Sequence, residues 1–129
     1  MKTIQLGAAK EMAGRAAAHA RVKGWKISIA VVGAEGQLVY FERGDESTAG
    51  SALAAVDKAK ASLLYRRPTQ AFAELLKQGR LDILTLPSVC AVAGGVPVTS
   101  GEEFVGAIGV SGAKPPEDEE CALAGLGAP

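Results

Sequence analysis

The stretch VGAIGVSGAKPPEDEECALAGLG, residues 105–127, decides how this chain is read. Its first seven residues follow a β-strand pattern, yet Gly106 and Gly109 lie inside it and Gly112 lies just beyond. Glycine packs no side chain and weakens a strand, so its repeated use marks a place where something comes close to the backbone. A Ser111-Gly112 turn follows. Pro115 and Pro116 suit the opening positions of a helix, and the acids from Glu117 to Glu120 suit its first turn. The sequence thus predicts a glycine-bearing strand aimed at an acidic helix. A packed helix, a second subunit and a ligand all remain open as what approaches the strand.

Working back from this stretch, CAVAGGVPVTSGEEFVGAIGV reads as a strand, a Gly94-Gly95 turn or bulge, a short strand, a polar turn and the glycine strand. Pro97 cannot donate to a ladder, which places its strand at an edge or bulge. Residues 81–89 favour no single element. Further upstream, TQAFAELLKQ fits a helix opened by Pro68 and ended by Gly79, and Ser51 to Tyr65 carries Leu53, Val56, Ala59, Leu63 and Leu64 at helical spacing. KISIAVVGAEGQLVYFER holds two apolar runs around Gly33 and Gly36, a β-hairpin pattern with apolar residues on both faces. From Thr3, a candidate cap, to Lys23 the chain is alanine-rich and lacks proline, and Gly24 can end that helix. The order is helix, hairpin, two helices, about three strands and a last helix. Strands and helices do not alternate, so the class is α+β: one antiparallel sheet with helices on its faces.

The 129 residues fit one domain spanning 1–129. Formal net charge is zero, which argues against nucleic acid as a partner, because phosphate binding needs a basic excess or stripe. No apolar run is long enough for a membrane span, and residues 1–15 lack the apolar core of a signal peptide, so a cytoplasmic location is expected. Cys90 and Cys121 have no framework spacing and no CxxC partner; they read as packing residues. Arg43-Gly44-Asp45 reads as a chance loop tripeptide.

Few motifs carry chemistry. No GxGxxG stands in a strand-to-helix context and no Walker lysine is present, so Gly94-Gly95 and the later glycines read first as turns and close packing. The helix start after Gly112 offers backbone N–H groups to an anion, but Glu117 and Asp118 compete for them. His19 is the one histidine, and Arg15 and Met12 share its helical face. The bland reading makes it a surface residue or a charge near a helix C-terminus. Asp57 and Lys58 stand on an alanine-rich helix, where a solvated face is the bland reading and a pocket lining the sharper one.

Taken together, SIAVVGAEGQLVYFERGD, AAVDKAKAS, RRPTQAFAELL, AGGVPV and VGAIGVSGAKPPEDEECA resemble, in order and spacing, the GlcG/HbpS-like (haem-degrading domain) family, and are similar to the C-terminal domain of PduO-type proteins. The resemblance covers the chain from the first helix to Ala122. It implies a profilin-like fold with a five-stranded antiparallel sheet between helical layers, and homo-oligomers from dimer to octamer. It also implies haem as cofactor, with His19 as iron ligand and Arg15 one turn away for a propionate. The sequence departs from the family's V-D-x-x-G-H hairpin pattern: Gly33 and Gln37 stand where an aspartate and a histidine are common.

Three functions follow as expectations. The first is a haem- or tetrapyrrole-binding protein, sequestering or degrading haem. The second is an enzyme or accessory protein acting on a small carboxylated metabolite, bound near Lys58, Arg67, Gly95 and Ser111. The third is an oligomer subunit without a small-molecule site.

Overall fold

The computed structural model describes residues 2–127. Its elements run α1 (Leu6–Lys23), β1 (Ser28–Gly33), β2 (Leu38–Arg43), α2 (Ala49–Tyr65), α3 (Gln70–Lys77), a short 3-10 helix (Leu81–Thr85), β3 (Gly95–Ser100), β4 (Glu103–Ser111) and α4 (Pro115–Gly125). The strands form one antiparallel sheet in the order β2-β1-β4-β3. Pro97 is tolerated because β3 is an edge strand, as its missing N–H requires.

Two layers of helices cover the sheet. On one face, Met12, Ala13 and Ala16 of α1 and Cys121 and Ala122 of α4 pack with Ile29, Val31, Ile108 and Val110. On the other, Ala55, Ala59 and Leu63 of α2 meet Ala30, Val32 and Ala107. All six residues of β1 are buried, which explains its unbroken apolar run.

The glycines of β4 now have their reasons. A Cβ on Gly109 would stand 2.6 Å from the Ala59 amide nitrogen and press into the Ala55 carbonyl, so this glycine admits α2. A Cβ on Gly106 would run into the Val32 carbonyl and stand 3.1 Å from Ile4, so this one admits the neighbouring strand and the segment before α1 rather than a helix. Gly112, at φ 135°, turns the chain out of the sheet. Packed protein fills all three approaches.

The sheet has four strands, not the five expected. Residues 90–93 are irregular and the ladder stops at Gly94. Gly94 still accepts from the Val110 N–H at 2.9 Å. The Val110 carbonyl, which a continuing strand would occupy, instead accepts from Lys58 Nζ at 3.0 Å. Gly94 itself, at φ 136°, bends the chain away. The first helix also starts later than Thr3: Thr3 Oγ1 accepts from the Ala34 N–H, and the Ile4 N–H bonds the Val105 carbonyl, tying residues 3 and 4 to the sheet.

Candidate functional site

Two charged clusters converge on α4, one inside the molecule and one at its surface. The inner one begins at Lys58. Helical spacing puts Ala55 and Ala59 against Gly109, and Lys58 lies beside them, 2% exposed. Its Nζ donates to Asp118 Oδ2 at 3.1 Å as well as to the Val110 carbonyl. Asp118 Oδ1 accepts from the Ala113 N–H at 2.9 Å. Burial pushes the Asp118 carboxyl above the usual carboxylate range, against the pull of the Lys58 ammonium and the Ala113 N–H. The pair joins α2 on one face of the sheet to α4 on the other. The solvated-face reading of Lys58 is therefore corrected: once β3 leaves the ladder at Gly94, the long lysine stem reaches an orphan carbonyl that needs a donor.

Gly95 lies against this lysine, and a Cβ there would overlap the Lys58 carbonyl. Its N–H donates to Thr69 Oγ1 at 3.0 Å, and its carbonyl accepts from the Thr69 N–H. Ser111 pairs in register with Ser28, whose Oγ lies 3.0 Å from Ser47 Oγ and 3.1 Å from Ser51 Oγ. Arg67 points elsewhere: its Nε donates to the Tyr65 carbonyl and its guanidinium lies 5.6 Å from the Phe72 ring centre. Of the four residues expected around a small carboxylate, Lys58 and Gly95 are in contact, Ser111 follows the carbonyl that Lys58 holds, and Arg67 lies outside. The N–H groups at the start of α4 are partly served by the chain itself, since Glu117 Oε1 accepts from the Lys114 N–H at 3.1 Å.

The surface cluster holds the other two expected residues. Arg15 and His19, one turn apart on α1, both reach α4. Arg15 Nε donates to the Gly125 carbonyl at 2.9 Å. This contact works because α1 and α4 nearly touch: a Cβ on Gly125 would stand 3.0 Å from the Met12 carbonyl. His19 Nε2 lies 2.6 Å from Glu120 Oε2, and Lys23 Nζ lies 3.9 Å from the same oxygen. The hydrogen bond from His19 holds the Glu120 carboxyl below its ordinary range. Trp25 stands 6.2 Å from the imidazole, centre to centre. Val22, 85% exposed, and Leu123, 42% exposed, lie three residues beyond His19 and Glu120 on their helices. An imidazole bonded to a carboxylate thus stands on a surface that mixes charged and apolar side chains.

Two open grooves lie elsewhere on the surface, the first of them reaching the surface cluster at Trp25. One of about 470 Å³ runs between the end of α1 and the loop after β2, past Trp25, Arg21 and Asp45, with the Lys26–Glu46 ion pair on its wall. The other, of about 420 Å³, lies between Arg66 and Phe104. None of the six expected site residues lines either. Among the described residues no group of three or more His, Cys, Asp or Glu could hold a metal ion, and no helix is long and apolar enough to cross a membrane. Cys121 is buried, with its thiol pushed up to about 12 chiefly by burial, while Cys90 is half-buried.

Sequence reasoning missed Asp118 and Glu120 as partners. Their signal was the run of four acids, which reads as helix capping; the residues they bind lie 60 and 101 positions away.

This architecture, a four-stranded sheet between an α1/α4 layer and α2, with the Lys58–Asp118 pair linking them, defines a small α+β domain of one recognisable class. The chain belongs to the HbpS-like family of haem-degrading proteins, whose model matches residues 4–127. It is 34% identical over 93 residues to protein GlcG of Escherichia coli K12, covering 72% of this chain and 69% of that one. Among solved structures it resembles a Streptomyces reticuli HbpS double mutant, with 33% identity, a TM-score of 0.91, and 98% of this chain and 87% of the other covered. At 18% identity, a PduOC:haem complex shares the fold, with a TM-score of 0.88 over 98% of this chain and 95% of the other.

Proposed function

We propose that the protein binds haem or a related tetrapyrrole, with His19 as axial ligand and Arg15 as partner for a propionate. The observation that carries this reading is the state of His19. Its ring is held at one nitrogen by Glu120 and stands 6.2 Å from Trp25, one helical turn from Arg15, in a chain of a haem-related family. The donor set suits haem iron: an imidazole oriented by a helix and an Arg15 whose terminal nitrogens can meet a carboxylate. Haem would supply the iron chemistry, whether the physiological outcome is sequestration or degradation.

Trp25, 6.2 Å from the imidazole, lines the groove at the end of α1, and His19 itself does not. The reading carries with it a homo-oligomer, from dimer to octamer, as the family resemblance implies. A cytoplasmic location is part of the same proposal. The alternative, a small carboxylate held by Lys58, Arg67, Gly95 and Ser111, is disfavoured by the Asp118 carboxylate already on the Lys58 ammonium.

The test is a haemin titration followed by absorbance, beside His19→Ala at equal concentration, with size-exclusion chromatography before and after loading. A saturable Soret shift near one haem per chain or per dimer, lost in the variant, supports the site. An unchanged shift in His19→Ala removes it, and thermal-shift screening of small carboxylic acids against Lys58 and Arg67 variants then decides the alternative.

A further inference from the structure

The two edges of the sheet are built differently. β3 carries Pro97, which has no N–H to offer a further strand, so that edge is guarded. β2 has no such device. LVYFER runs from Leu38 to Arg43 without proline, its middle residues are half-buried, and its charges, Glu42 and Arg43, stand together at one end. The Gly44 N–H bonds the Ile27 carbonyl at 3.0 Å, which continues the β1–β2 register by one pair. Along an antiparallel ladder, hydrogen-bonded pairs alternate with non-bonded ones. Tyr40 and Glu42 therefore direct their backbone groups to β1, while the N–H and C=O of Phe41 and Arg43 point away from the sheet. None of these four groups has a protein partner among the described residues.

We infer that this edge pairs with the same edge of a second copy of the chain, antiparallel about a two-fold axis at Phe41, so that the two sheets join into one. In that register Phe41 faces the partner's Phe41, Arg43 faces the partner's Val39, and Tyr40 faces the partner's Glu42. Only registers that set outward-facing residues against each other complete the hydrogen bonds, which excludes every one-residue slip. Centring the axis on Glu42 would set two carboxylates directly opposite each other, a destabilising pair. Centring it on Tyr40 would pair both Phe41 and Arg43 with residues at or beyond the bulge at Val39. The axis at Phe41 keeps its central bonds clear of the bulge and carries the charged end of each strand to the apolar end of the other. It also sets a phenol against a carboxylate, a pair the chain already makes: Tyr40 Oη donates to Glu42 Oε1 at 3.1 Å. Zero net charge leaves no long-range repulsion between copies. The inference rests on the homo-oligomer of the reading above and gives it a surface; the haem site has no part in it.

The experiment is size-exclusion chromatography with light scattering over a concentration series, for wild type and Phe41→Lys, beside a cysteine scan. The scan takes Tyr40→Cys, Phe41→Cys and Glu42→Cys, oxidised mildly and run on non-reducing gels. Melting temperature serves as the folding control, and the oxidised wild type, which keeps Cys90 and Cys121, gives the background. Phe41→Lys sets like charges opposite each other at the axis and should raise the dimer dissociation constant about tenfold. Of the cysteine variants, only Phe41→Cys should give a covalent dimer, because only residue 41 meets itself at a spacing within disulfide reach. A wild type that stays monomeric at every concentration overturns the inference together with the oligomer it rests on. An oligomeric wild type overturns the inference alone if Phe41→Cys gives no covalent dimer above background, or if folded Phe41→Lys assembles as wild type does. A covalent dimer formed chiefly by Tyr40→Cys or Glu42→Cys also overturns it, since the axis would then lie elsewhere. Should Phe41→Lys lose its fold, the cysteine scan decides by itself.

Discussion

Asp118 and Glu120 stand two residues apart on one helix and meet opposite fates. Asp118 is buried on the ammonium of Lys58 and links the two helical layers; Glu120 is half-exposed and faces α1 through His19 and Lys23. Both are carboxylates paired with a cation or imidazole, yet the physics differs. Charges taken out of water cost free energy that their mutual attraction must offset, and removing one partner strands the other. At the surface, water screens the pair and little stability depends on it. The inner pair therefore belongs to the architecture, and the outer pair is free to serve chemistry.

The largest effect should come from breaking the inner pair. Lys58→Met leaves Asp118 buried without its ammonium and the Val110 carbonyl without its donor, and should cost about 3–5 kcal/mol in denaturant unfolding. Adding Asp118→Leu removes the stranded charge and should recover most of that loss. A double variant no more stable than the single would show that the pair is not the unit described. Next comes Gly109→Ala, which forces a methyl into the α2 backbone and should cost about 1–3 kcal/mol by the same measurement. Retained stability there would mean that α2 can move off the sheet at little cost.

The two carboxylates should also respond to pH with opposite sign. Glu120 has its folded pKa held below the ordinary value, so its contribution to stability is present above that value and fades as pH falls through the lowered one. Asp118 has its folded pKa raised by burial, so its contribution is present below the ordinary value and is lost as pH rises through the raised one. Carboxyl NMR titration should place Glu120 below the usual range and Asp118 above it; the reverse order would overturn the contrast. The smallest effect is expected for Glu120→Gln, whose melting temperature should stay close to wild type because water screens the surface pair.

The stretch 105–127 revealed a strand running into an acidic helix, because glycine, proline and acid placement are local signals. The hairpin, α2, α3 and the edge position of Pro97 were legible for the same reason. The fifth strand was not absent from the local pattern of 90–93. The chain bends away at Gly94, and a lysine more than thirty residues upstream serves the carbonyl a continuing strand would have used. His19 and Arg15 could be put on one helical face by counting, but what that face meets could not.

Sequence by itself determined the α+β class, the order of its main elements and the family resemblance, since periodicity, turn residues and motif spacing act over a few positions. Tertiary structure alone decided that Lys58 is an internal clamp, that Asp118 and Glu120 have different tasks, and that the His19 ring is held through Nε2. Each of these depends on burial and on contacts between residues far apart in the chain, and neither the solvation of a charge nor its partner is a local property.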